Sequence, residues 1–247
     1  MDNIISEIKY AYLHQLIKIH KNDEAASLME ELSEKSKKNG LESYRLFFDG
    51  NIQFIKKNYD DAIYLFNKSL ALDEQFVYPL NGLGISYGVI REYEKAIEYL
   101  EKAISLDENF AYPWNGLGFV YANKEDYDKA IECYKKAISL DQSYVKAWNG
   151  LGSSYSKKED YKKAIECYEK AISLDKYYTY PWLGLGIVYS KKEDNEKALE
   201  CYKKAISLDE SVASPWNGLG IIHKRKGEND KAIEYFVVVK HYCNATV

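Results

Sequence analysis

The sequence predicts an all-α protein built as an array of antiparallel helix pairs, and three observations carry that expectation. Trp114, Trp148, Trp182 and Trp216 are spaced by 34 residues, and the four prolines, Pro79, Pro113, Pro181 and Pro215, stand one place before that column. Ten of the fourteen glycines fall in paired columns: Gly82/Gly84, Gly116/Gly118, Gly150/Gly152, Gly184/Gly186 and Gly218/Gly220. Within a unit, apolar residues recur at i, i+3, i+4 and i+7, the spacing of one helix face. A fixed period of this length marks a repeat architecture, and 247 residues leave room for about seven units.

The elements follow in order. Residues 1–42 make a degenerate pair: Ile4, Ile5, Ile8, Tyr12, Leu16 and Ile19 line one helix, and Ala25, Leu28, Met29 and Leu32 another, before Gly40 ends it. A terminal unit packs on one neighbour, so this cap-like pair lacks the Trp and Gly columns. Residues 43–76 form a divergent repeat with Asp49 and Gln53 where later units have Leu and Tyr. Repeats are expected at 77–110, 111–144, 145–178 and 179–212, with a terminal one at 213–247. In 111–144, Trp114, Leu117, Gly118 and Tyr121 share one face, with Pro113 in the first turn, where its missing N–H is harmless. Asp126 is the expected N-cap of a second helix facing inward through Ala130, Tyr134, Ala137 and Leu140. Gly118 lies beside Trp114 on the packing face, whereas Gly116, about 160° away on a helical wheel, is expected to point away from the hairpin interface and border the opposite stripe.

The columns Trp114, Leu117, Gly118, Tyr121, Ala130, Tyr134 and Ala137 resemble the tetratricopeptide repeat signature, with Tyr134 in place of Phe. The resemblance implies a right-handed superhelical solenoid whose first helices line a concave surface, and a role in protein–protein interaction. One feature departs from the pattern. The Pro that usually closes the second helix is replaced by Glu74, Glu108, Gln142, Lys176 and Glu210.

Composition narrows the function. Net charge is −4, with opposite charges interleaved as in "NKEDYDKAIECYKKA", which speaks against a nucleic-acid partner. The N-terminus shows no signal-peptide core, and no apolar run approaches a membrane span, so the expected setting is cytoplasmic without membrane contact. The GLG pairs complete no nucleotide-binding motif, and no catalytic triad has local support; the chain is expected to be no enzyme and to need no cofactor. Cys133, Cys167 and Cys201 share one column on successive second helices, where equivalents about 10 Å apart are too distant for disulfides. His14, His20, His223 and His241 show no metal-binding spacing.

The candidate site is the stripe opposite the hairpin core. It comprises Tyr78, Asn81 and Ile85; Tyr112, Asn115 and Phe119; Lys146, Asn149 and Ser153; Tyr180, Leu183 and Ile187; Ser214, Asn217 and Ile221. A face turned to plain water would be Lys, Glu and Gln. Asn amides can bond the backbone of an extended peptide while Tyr and Ile take its side chains, and bare glycines beside them would admit a ligand closely. The alternative is that the amides bond between first helices and that Phe119 and Ile85 pack on neighbouring repeats. The clamp by which some family members hold the acidic tails of heat-shock chaperones is absent: the corresponding positions read Asn81 and Ile85, Gly116, then Lys146 and Gly150. A rival role is self-assembly, or a sensor segment of a larger protein. Val237, Val238 and Val239 in the last helix point to it, because Val239 fills the small-residue column of Ala137, Ala171 and Ala205 and no polar capping helix follows.

Overall fold

The computed structural model describes residues 22–244, and these contain thirteen helices and no strand. The expected helix of residues 1–21 lies outside the described residues. The chain divides into two compact units between Tyr144 and Val145. The first holds α1 (Asn22–Lys38), α2 (Glu42–Ile55), α3 (Tyr59–Leu72), α4 (Val77–Val89), α5 (Tyr93–Leu106), α6 (Ala111–Asn123) and α7 (Tyr127–Leu140). The second holds α8 (Val145–Lys157), α9 (Tyr161–Leu174), α10 (Thr179–Lys191), α11 (Asn195–Leu208), α12 (Ala213–Arg225) and α13 (Asn229–Asn244). Within each unit, every helix packs on its sequence neighbours, and successive first helices also touch. The fold is an all-α repeat array.

The turn inside each pair has one repeated chemistry. After α6, the N–H of Asp126 donates to the carbonyl of Tyr121 (3.0 Å) and that of Glu125 to Ala122 (3.1 Å). Glu125 sits in the left-handed region at φ 62°, completing a Schellman motif. Lys57, Arg91, Glu159 and Glu193 adopt the same conformation, and Gly227 takes it in the last pair. Asp126 then caps α7, accepting the N–H of Lys129 at 3.2 Å, and Asp160 and Asp194 do the same for α9 and α11. Between pairs, the absent proline is replaced by an aspartate column. Asp73, Asp107, Asp141, Asp175 and Asp209 leave the second helix in extended backbone, and each Oδ1 accepts the N–H two residues on at 2.9–3.1 Å. Such Asx turns redirect the chain without Pro.

The core explains the glycines and corrects one expectation. Ala130, Ala137, Ala164, Ala171, Ala198 and Ala205 are fully buried, so the second helices are approached closely along their whole length. The Tyr168 ring lies against Gly152 of its own pair, where an added Cβ would stand 2.9 Å from it, and against Gly184 of the following first helix on its other side. Tyr202 is held in the same way between Gly186 and Gly218, and Leu100 between Gly84 and Gly116. Gly116 does point away from its own hairpin, but onto Leu100 of the preceding pair, so it is buried and not bare to a ligand. A second helix is shared by two first helices, so each first helix buries two faces, and a helical wheel drawn for one hairpin counts a single face.

Candidate functional site

In the first unit the stripe residues sit half-buried on α4 and α6. Tyr78 and Tyr112 belong to an aromatic ladder that climbs from Tyr78 to Phe110 (5.1 Å between centroids), to Tyr112 (5.2 Å) and to Tyr144 (4.9 Å). Burial raises both phenols, pushing Tyr112 up to about 12. Ile85 packs over Gly116, and Phe119 over Gly88. These four side chains join neighbouring repeats. Asn81 and Asn115 do not: neither amide has a hydrogen-bond partner among the described residues, and the Oδ1 of Asn81 is buried without one.

In the second unit the stripe is open. Tyr180 is 51% exposed, Ile187 42% and Ile221 37%, on α10 and α12, and Asn217 is exposed between them. Asn149 on α8 is half-buried; neither it nor Asn217 has a side-chain hydrogen bond among the described residues. Lys146 reaches solvent, yet the protein crowded around its stem desolvates the ammonium and holds it below the ordinary lysine range.

Two site groups escaped the sequence. The Tyr168 hydroxyl, on a second helix, lies near Ser153 on the first-helix stripe, and that of Tyr202 near Ser190. Burial raises both phenols, Tyr202 to about 12. Their rings pass through the glycine gaps, so their polar tips emerge among the first helices. The signal was present: a tyrosine column whose ring fills the space left by two glycine columns must end beyond them.

Four stretches, 77–110, 111–144, 145–178 and 180–212, match the tetratricopeptide repeat model, together more than half of the chain. The chain belongs to the tetratricopeptide repeat family. Residues 43–74, the divergent unit, match the Sel1 repeat. Among solved structures, a MamA protein is 30% identical, with 70% of this chain and 94% of that one aligned at a TM-score of 0.53. A chain of the APC/C hetero-tetramer Cut9-Hcn1 aligns with 93% of this chain and 45% of its own at a TM-score of 0.80 and 19% identity. YrrB, described as a TPR protein with an unusual peptide-binding site, covers 72% of this chain and 91% of its own at 0.52 and 22%. At such identities the last two show the fold alone. No match was found among curated proteins.

The remaining features of this tetratricopeptide array are structural or open. Cys133, Cys167 and Cys201 are buried thiols outside any disulfide among the described residues, and burial pushes the thiols of Cys133 and Cys201 up to about 11. His223 takes the place of a column tyrosine, stacks on Tyr235 at 5.3 Å and sets Nδ1 3.1 Å from Glu228. Among the described residues, no cluster of His, Cys, Asp and Glu could hold a metal, and no helix is long and apolar enough to cross a membrane. On α13, Phe236 packs against Gly220, while Ile233 and Val237 are 59% and 62% exposed and Val238 and Val239 half-buried.

Proposed function

We propose that this protein is a non-catalytic scaffold that binds an extended segment of a partner protein on the concave face of its first helices. The observation that carries it is one repeat column of amides, Asn81 and Asn115 in the first unit and Asn149 and Asn217, either side of Leu183, in the second, with no hydrogen-bond partner among the described residues. An amide offers both a donor and an acceptor, which is what an extended backbone needs. Tyr180, Ile187 and Ile221 supply exposed apolar contact beside it, so the second unit carries most of the binding. A cytoplasmic setting is part of the proposal, in keeping with three thiols that form no disulfide. The test uses a peptide selected from a display library on the full chain. Asn149→Ala with Asn217→Ala should weaken its binding at unchanged melting temperature. A stability loss above about 1–2 kcal/mol would make the amides structural bonds instead, and failure to select any peptide would end the proposal.

A second role, self-association through α13, is supported by exposed Ile233 and Val237. Light scattering over a concentration series tests it: Val237→Lys with Val238→Lys should shift a dimer to monomer, and constant monomer mass in both proteins would exclude it.

A further inference from the structure

We propose that the partner segment held by the second unit is acidic, with aspartates or glutamates spaced between its apolar residues; this rests on the peptide-binding function above and names the chemistry of that peptide. The helices α8, α10 and α12 read VKAWNGLGSSYSK, TYPWLGLGIVYSK and ASPWNGLGIIHKR. They carry Lys146, Lys157, Lys191, Lys224 and Arg225, all exposed, and no carboxylate. Lys157, Lys191 and Arg225 stand 34 residues apart, each one turn beyond Ser153, Ile187 and Ile221, and so continue the stripe by an i, i+4 step.

These cations are left without anions. Among the described residues, Lys146, Lys157, Lys191 and Lys224 have no ion-pair partner, and Arg225 reaches toward Ser190 on the neighbouring first helix at 3.5 Å. The one lysine column neutralised among the described residues lies at the start of the second helices, where Lys163 pairs with Asp160 (2.6 Å), Lys197 with Asp194 (3.2 Å) and Lys231 with Glu228 (2.6 Å). Helix-end stabilisation does not account for the row. A cation in the last turn favours the helix dipole, but α4 and α6 end in Val89 and Asn123 in the same column and form without one. Lys146 lies in the first turn of α8, where the dipole opposes it. The crowding that desolvates its ammonium would be offset by a bound carboxylate. Between the cations, Tyr180, Ile187 and Ile221 offer apolar seats, so the matching segment alternates carboxylates with aliphatic or aromatic side chains.

Fluorescence polarisation with the full chain tests this on four labelled probes: short peptides alternating Leu or Phe with Asp/Glu, with Asn/Gln, or with Lys/Arg, and oligo(U). The acidic peptide should bind about tenfold more tightly than its amide counterpart at low salt, a preference that fades toward about 0.5 M salt. Lys157→Glu, Lys191→Glu and Arg225→Glu together should weaken the acidic probe about 30-fold and leave the amide probe within about twofold. Lys170→Glu with Lys203→Glu, on the second helices, should leave both unchanged, with helical content intact in every variant. Equal binding of acidic and amide peptides overturns this inference and leaves the peptide-binding function standing. Binding of no peptide overturns both, and tighter binding of oligo(U) than of the acidic peptide replaces the protein partner with nucleic acid.

Discussion

Replacing Gly218 by alanine tests the wedge that joins repeats in the second unit. The Tyr202 ring, 4% exposed, lies between Gly186 and Gly218. A methyl on Gly218 would fall well inside van der Waals contact with three ring carbons. The ring cannot retreat, because the Cβ position of Gly186 already stands 2.5 Å from its other side. Overpacking typically costs about 1–3 kcal/mol, and a ring pinned on both sides belongs at the upper end. Alanine returns about 0.8–1.0 kcal/mol of helix propensity, leaving a net loss of about 2 kcal/mol. Urea denaturation followed by circular dichroism and tryptophan fluorescence measures it, with Trp216 two residues away as a local probe. The control is the same substitution in a Tyr202→Ala background, itself lower by about 3–5 kcal/mol. There the methyl meets empty space, only propensity remains, and Gly218→Ala should stabilise by about 1 kcal/mol. A neutral or stabilising effect with Tyr202 present would refute the wedge and, with it, this account of the paired glycines.

Three further outcomes are expected. Glu159 holds φ 62°; an L-residue there costs about 1–2 kcal/mol and glycine gives back part of the gain as entropy, so Glu159→Gly should raise stability by about 0.5–1 kcal/mol, and a loss in urea titration would contradict the Schellman turn. The capping carboxyls are held below the ordinary aspartate range, Asp160 chiefly by the Lys163 side chain and Asp194 chiefly by the Lys197 N–H. Their stabilisation is complete above the unfolded value and is lost as pH falls through the depressed folded one, so the melting temperature should drop below about pH 4, less steeply in Asp160→Asn with Asp194→Asn. The thiols of Cys133 and Cys201, raised to about 11 by burial, should ignore an aromatic disulfide reagent at about pH 8 until urea is added; rapid modification of the folded protein would show that they are accessible.

What was legible depended on how many neighbours a residue answers to. The 34-residue period, the hairpin core and the Asp126 cap follow from contacts within one pair, and a single helical wheel finds them. Gly116 and the rings of Tyr168 and Tyr202 answer to two pairs at once, and pattern within one repeat carries no term for the next. The aspartate turn is illegible for another reason: Asp73 and its equivalents end each second helix in plain view, but an aspartate at a helix end serves a turn or a solvated surface equally well until its Oδ1 is seen to accept the N–H two residues on. On the stripe, residue type separated it from an ordinary wet surface, but could not say which side chains are spent on packing. Tyr112 and Tyr180 share a column, and only the structure shows the first built into an aromatic ladder and the second 51% exposed.

That contrast assigns the two jobs of the first-helix face to different stretches of sequence. In α4 and α6 the stripe is uncharged, and its aromatic and aliphatic members are used up in joining repeats, so a ligand there would meet mainly amides. At the start of α10, Tyr178 and Tyr180 stand 5.5 Å apart, and at the start of α12 the same two columns hold Val212 and Ser214, neither of them aromatic. Tyr168 and Tyr202 pressed into their glycine pairs join these repeats, as Leu100 between Gly84 and Gly116 does in the first unit. With those rings carrying repeat contacts, Tyr180, Ile187, Asn217 and Ile221 keep exposed surface on the first helices. The glycines therefore shape the site without touching a ligand: by admitting the ring from behind, they release the first-helix surface for recognition.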